Sequence, residues 1–228
     1  MRFRAVLFDL DGTLLDTLED IARTMNSVFG RRGYPPFSLA ECRLMVGEGM
    51  EVLVRRAILA RRADRPADEG EDQGDGTVAA IVREYRAEYE SAWRAHSRPY
   101  PGIPGLLEGL QARGVRTAVL SNKSHPFTED MTRELLPFDF DAVRGAVSGV
   151  PYKPDPAAAL AISSEMGIPP AEFIFVGDTS IDMATARAAG MFPAGVLWGF
   201  RDAEELASSG AAVLLASPAD LLKVLDEG

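Results

Sequence analysis

Two aspartates close an apolar run near the start of the chain: AVLFDLDGTLLDT, residues 5–17, carries Asp9 and Asp11 with one residue between them. Burying a lone carboxylate costs several kcal/mol, so a strand that ends on two acids implies a partner or a purpose. Ser121 and Asn122 close the run VRTAVLS (115–121). Gly177 and Asp178 close FIFVGD (173–178), with Asp182 just behind at the opening of a helix, and Lys153 sits in the irregular stretch PYKPDP. Carboxylates, a hydroxyl and a lysine suit phosphoryl transfer. Asp9 would attack phosphorus as nucleophile, and Asp11 would protonate the leaving alkoxide and then take a proton from the hydrolytic water. A carboxylate beside a phosphate oxygen is opposed by about 4 kcal/mol per unit pair at an effective dielectric of 20. The charge needs cancelling, and the hard oxygen donors of Asp9, Asp178 and a backbone carbonyl point to Mg²⁺. Lys153 would add a fixed positive charge. The Ser121 hydroxyl and backbone amides near Gly12 and Asn122 would bond the phosphate oxygens.

These residues lie far apart in sequence and need a scaffold that gathers them. Short apolar runs at 5–9, 115–121, 173–178, 194–199 and 211–217 read as buried strands. Helical stretches such as 102–114 and 155–167 lie between them, with Gly114 and Gly167 as stops and Asp155–Pro156 as a start. Alternating strands and helices predict a Rossmann-like, doubly wound parallel sheet, whose ligands bind beyond the carboxyl ends of the strands. Residues 16–96 break the rhythm. Leu18, Ile21, Met25 and Phe29, then Leu53, Val54 and Ile58, then Val78, Ile81, Tyr85 and Tyr89 fall at helical spacing. The expected organisation is a discontinuous core, 1–15 and 97–228, with an all-helical cap, 16–96, inserted after the first strand. DRPADEGEDQGDG (64–76) reads as a solvated loop between two cap helices.

Composition narrows the class. The net charge of −10 lacks the basic stripe of a nucleic-acid binder, and no apolar run approaches the ~20 residues of a membrane span. The one cysteine, Cys42, cannot pair within the chain. With no signal peptide, the expectation is a soluble, cytoplasmic protein acting on a small-molecule phosphate ester, with no nucleic-acid or membrane partner and an oligomeric state the sequence does not give.

Taken together, DLDGTLLDT, SNK, KPDP and GDTSIDMATARAAG resemble, in order, the motifs of the haloacid dehalogenase-like hydrolase superfamily. VGEGMEVLVRRAIL and SNKSHPFTEDM are similar to the phosphoglycolate phosphatase branch. The resemblance implies Asp9 as nucleophile, Asp11 as acid and base, and Ser121 and Lys153 as phosphate binders. It implies magnesium on Asp9, the Asp11 carbonyl and Asp178, with Asp182 in support. The insert would close over the site on hinges near 14–17 and 97–101. The expected activity is a Mg²⁺-dependent phosphatase acting on a small monoester such as 2-phosphoglycolate. A phosphomutase of the β-phosphoglucomutase type is the alternative with the same core, and a phospho-acceptor signalling domain is the alternative from another class. A receiver domain lacks an eighty-residue insert. Phosphonoacetaldehyde hydrolase needs a cap lysine, and the lysines here, Lys123, Lys153 and Lys223, all lie outside the insert.

Several residues carry two readings. Asp182 is a metal-supporting acid or a helix N-terminal acid held by the dipole. Asn122 binds phosphate or holds its loop, and Lys123 reaches the site or is solvated. Arg56 meets a second anionic group of the substrate or pairs with Glu84 or Glu88. Asp16 reads as the N-cap of the first cap helix, Thr179 and Ser180 as cap and turn residues, Trp198 and Phe200 as core, and His96 and His125 as structural or surface groups.

Overall fold

The computed structural model describes residues 2–61 and 75–227. The chain divides into two compact units, Met1–Asp16 with Arg98–Gly228, and Thr17–Ser97.

The first unit is built on a six-stranded, all-parallel sheet. Its strands are β1 (Ala5–Phe8), β4 (Arg116–Ser124), β5 (Ala142–Ala146), β6 (Phe173–Gly177), β7 (Phe192–Val196) and β8 (Val213–Leu215), in the spatial order β5-β4-β1-β6-β7-β8. β1 is central and fully buried, which is why its sequence is apolar at every position rather than alternating. Helices α5 (Ile103–Ala112), α6 (His125–Leu135), α7 (Ala157–Met166), α8 (Ser180–Ala189), α9 (Ala203–Ser208) and α10 (Pro218–Glu227) fill the connections. Gly167 ends α7 at φ +64°, as a left-handed C-cap requires. One core cluster joins Leu7, Leu120, Ile162, Phe173, Phe175 and Met191 across the sheet and its helices.

β5 was not among the strands read from the sequence. Its segment, AVRGA, is only partly buried at the sheet edge and so lacks the apolar run that marks β1 or β6. A second, two-stranded sheet is also new. β2 (Leu15–Asp16) pairs antiparallel with β3 (Arg98–Pro99), and the Tyr100 amide donates to the Leu14 carbonyl at 3.0 Å. This pairing corrects the reading of Asp16. Its backbone is extended, its carboxylate lies 3.9 Å from Arg98, and Thr17 takes the N-cap position of the helix that follows.

The second unit is helical: α1 (Leu18–Gly30), α2 (Leu39–Met45), α3 (Met50–Arg61) and α4 (Asp75–Ala92). Ile21, Met25, Val28, Phe29, Val54, Ile81, Tyr85, Tyr89 and Trp93 form its interior. Buried Asp20 accepts from the amides of His96 and Ser97 at 2.9 and 2.7 Å and from the Ser97 hydroxyl at 2.8 Å, tying the start of the unit to its end. The predicted loop 64–76 lies outside the described residues except at Asp75 and Gly76, which already belong to α4. Among the described residues, no helix is long and apolar enough to cross a membrane.

Candidate active site

β1 ends by handing Asp9 to the ladder of its neighbour: the Asp9 amide donates to the Val176 carbonyl at 2.9 Å. The chain then turns sharply. The amides of Leu14 and Leu15 return to the Leu10 carbonyl at 3.0 and 2.9 Å, and Gly12 sits at φ +86°, a conformation with a Cβ penalty for other residues. Space gives a second reason for glycine here. A Cβ on Gly12 would lie 2.2 Å from Asp178 Oδ2.

β6 lies beside β1 and ends one residue before Asp178, so the parallel register brings the two acids to the same edge. α8 begins at once and supplies Asp182 from its first turn. Carboxylate oxygens of Asp9, Asp178 and Asp182 lie within 4.8 Å of one another, and all three residues are buried. The Lys153 ammonium sits 2.8 Å from Asp182 Oδ1, 2.8 Å from Asp9 Oδ1 and 3.0 Å from the Leu120 carbonyl. The contact to Asp9 is a buried ion pair.

Three carboxylates thus face one ammonium. Burial pushes the Asp9 carboxyl up to about 7; Lys153 opposes the shift and Asp182 adds to it. Burial likewise raises Asp178 well above the usual carboxylate range, with Asp182 and Asp9 adding to the rise. Burial works against the charge of Lys153, but Asp182 and Asp9 outweigh it and hold the ammonium above the ordinary lysine value. Three buried carboxylates whose oxygens converge on one point, with a single ammonium against them, fit a divalent cation of the magnesium type.

Each acid is held in place. Asp178 accepts from the Thr13 hydroxyl at 3.1 Å and from the Phe200 amide at 2.7 Å. Asp182 Oδ2 accepts from the Thr179 amide and hydroxyl at 3.1 and 2.7 Å. Because its Oδ1 meets Lys153, both oxygens of Asp182 are engaged. Asp11 is held by Lys123, whose ammonium contacts both carboxylate oxygens at 2.9 and 3.1 Å.

The other expected residues are distributed as follows. Ser121 is buried, and its hydroxyl accepts from the Lys123 amide at 3.2 Å. The Asn122 side chain is committed to its loop: its amide donates to the Lys153 carbonyl at 3.0 Å and its oxygen accepts from the Lys153 amide at 2.8 Å. That pair holds Lys153 in register. Arg56, in the helical unit, donates to the Met45 carbonyl at 3.1 Å and pairs with Glu48. Glu84 and Glu88, the acids of the alternative reading, pair with Arg32 and Arg31, and the cap acid that Arg56 meets is Glu48.

Some contributors were not legible. The Phe200 amide acts through backbone, which carries no residue signature. Gly177 and Gly199 matter by what they lack: a Cβ would lie 2.2 Å from Asp182 Cβ and from Asp178 Cβ, respectively. Trp198, read as core, is half-buried and donates its indole N–H to the Thr13 carbonyl at 3.0 Å.

Comparison with known proteins agrees with this geometry. Residues 6–196 match the family model described as haloacid dehalogenase-like hydrolase. The chain is 32% identical over 225 residues to phosphoglycolate phosphatase 1 of Pseudomonas aeruginosa, covering 98% of this chain and 80% of that one. It is 33% identical over 228 residues to the N-acetylmuramic acid 6-phosphate phosphatase of the same organism, covering 99% and 96%. A crystal structure from Lactobacillus delbrueckii subsp. bulgaricus, assigned by prediction as a phosphoglycolate phosphatase, superposes with a TM-score of 0.90 at 30% identity, covering 99% of both chains. With the acid cluster at the carboxyl edge of a parallel sheet and a family match spanning most of its length, the chain belongs to the haloacid dehalogenase-like hydrolases.

Proposed function

We propose that this chain is a Mg²⁺-dependent phosphatase that hydrolyses a small phosphate monoester through an aspartyl-phosphate on Asp9, with 2-phosphoglycolate as substrate. The carrying observation is the cluster of three buried carboxylates, Asp9, Asp178 and Asp182, faced by the single ammonium of Lys153. In the first step an Asp9 carboxylate oxygen bonds to phosphorus while the ester P–O bond breaks, and Asp11 gives its proton to the departing alkoxide. In the second, water attacks phosphorus, Asp11 takes its proton, and the acyl-phosphate bond breaks to return Asp9 and release inorganic phosphate. Lys153 offsets charge on the phosphoryl oxygens, and the Ser121 hydroxyl donates to one of them. Magnesium would be held by Asp9, the Asp11 carbonyl and Asp178, with Asp182 in support, and would supply the remaining positive charge that lets an anion approach anions. The helical unit Thr17–Ser97 is read as the cap, with Arg56 as the group that answers a substrate carboxylate. The enzyme is read as cytoplasmic, with neither nucleic acid nor membrane as partner.

A second substrate has its own support. The N-acetylmuramic acid 6-phosphate phosphatase relative is matched over 96% of its length, against 80% for phosphoglycolate phosphatase 1. Both names describe a phosphate ester that also bears an acid group. Phosphate release from a panel of esters with Mg²⁺ decides between them. The expected result is a kcat/KM preference for 2-phosphoglycolate. A preference for N-acetylmuramic acid 6-phosphate moves the assignment to that substrate, and isomerised product from glucose 1-phosphate moves it to a mutase.

A further inference from the structure

We infer that Lys123 is a positioning residue for proton delivery: it fixes the Asp11 carboxylate so that the acid meets the leaving-group oxygen. The inference rests on the proposed role of Asp11 as acid and base.

The chain uses arginine for nearly all its cations, and two of its three lysines stand on the aspartates of this site, Lys153 on Asp9 and Asp182 and Lys123 on Asp11. The Lys123–Asp11 pair is secluded, with side chains 9% and 13% exposed, so it is screened far less than a surface pair. Its contact is two-pointed, to both oxygens of one carboxylate, and so restrains the rotation of that group as well as its place.

Lys123 is itself locked from the backbone. β4 shifts register between Leu120 and Ser124, and this irregular end carries Lys123. Its amide donates to the Ser121 hydroxyl at 3.2 Å, and its carbonyl accepts from the Thr128 hydroxyl at 3.2 Å. β5 presses against it at Gly145, where a Cβ would lie 2.6 Å from the Lys123 carbonyl oxygen. A solvated lysine needs none of this support. An acid two residues beyond the nucleophile, by contrast, gains from an anchor, because a misplacement of about 1 Å can cost roughly 10²-fold in rate.

The test separates proton delivery from phosphate binding by leaving group. An alkyl alkoxide needs a proton to depart, whereas p-nitrophenolate leaves without one. Measured as kcat/KM, which stops at the first phosphoryl transfer, Lys123→Met should lose roughly 10- to 10²-fold on the best alkyl ester of the panel and about threefold or less on p-nitrophenyl phosphate. Asp11→Asn should show the same selectivity, and adding Lys123→Met to it should cost nothing further, since the lysine then has no acid to place. Lys123→Arg, which keeps a charged two-point donor, should recover most of the alkyl activity. Equal losses on both substrates, or independent losses in the double variant, overturn the inference and make Lys123 a phosphate binder or a structural cation. If Asp11→Asn itself loses both substrates equally, it is the acid role of Asp11 that fails. Should Lys123→Met not fold, Lys123→Gln is judged by the same criteria.

Discussion

Gly199→Ala probes the site through a residue with no side chain to do chemistry. A Cβ at this position would lie 2.2 Å from Asp178 Cβ, 2.5 Å from the Gly12 carbonyl oxygen and 2.7 Å from Asp178 Oδ2. Atoms of this kind rest at about 3.5–4.0 Å, so a neighbour must retreat by more than an ångström. No flexible side-chain end is available to yield: Asp178 is fully buried and held by Thr13 and by the Phe200 amide, the residue next to Gly199. Overpacking costs about 1–3 kcal/mol. In a chain of 228 residues that corresponds to a fall in Tm of roughly 2–12 °C, at about 2–4 °C per kcal/mol. Displacing the Asp178 carboxylate by about 1 Å should cost roughly 10²-fold in kcat/KM and raise the Mg²⁺ concentration needed for half activity. Melting in the presence and absence of Mg²⁺, with phosphate release across a Mg²⁺ titration, reads all three effects. Gly105→Ala is the control, because Gly105 is helical and exposed with open space at its Cβ, and it should gain about 0.5–1 kcal/mol. A Gly199→Ala enzyme with unchanged Tm, rate and Mg²⁺ requirement would refute the view that the Gly12–Gly199 walls set the place of Asp178.

Asp9→Asn should abolish turnover while melting no lower than the parent in chelator, since burial already disfavours the charged carboxylate; turnover above a few per cent, with deamidation checked by mass, contradicts a nucleophilic Asp9. Activity should disappear with chelator and return with Mg²⁺, and Asp178→Ala should raise the Mg²⁺ requirement or remove activity; full rate in metal-free buffer counts against the metal. Arg56→Ala should weaken kcat/KM for carboxylated esters by about 1.5–3 kcal/mol and barely touch p-nitrophenyl phosphate, whereas equal losses would assign Arg56 to holding Glu48 and the Met45 carbonyl. Glu41 is held at about 2 by bonds from the Arg61 side chain and from Ser38. A carboxyl depressed in the fold contributes above its unfolded value and loses that contribution as pH falls through the folded one. The stability gap between the parent and Glu41→Gln should therefore be constant above pH 4.5 and close between about 4.5 and 2, read by urea melts at each pH.

The scaffold was legible in the residues alone. Continuous apolar runs such as AVLF can only be buried on both faces, and helical periodicity between them leaves a parallel sheet as the way to cover both. The acids that interrupt those runs then fall at the carboxyl edge by topology alone. β5 was lost because an edge strand with Arg144 and Gly145 has little apolar pattern to read. Which side chain holds which was not legible there. Asp11 and Lys123 are 112 positions apart, and Thr13 and Asp178 are 165 apart. No local periodicity encodes such pairs, which follow from the register of β1 against β4 and β6. The Phe200 amide and the close approach of Gly199 leave no residue-type signature, because one acts through main chain common to every residue and the other through an absent Cβ. Asn122 and Lys123 are neighbours in SNK, yet one turns to the Lys153 backbone and the other to Asp11, at the point where the strand that carries them shifts register.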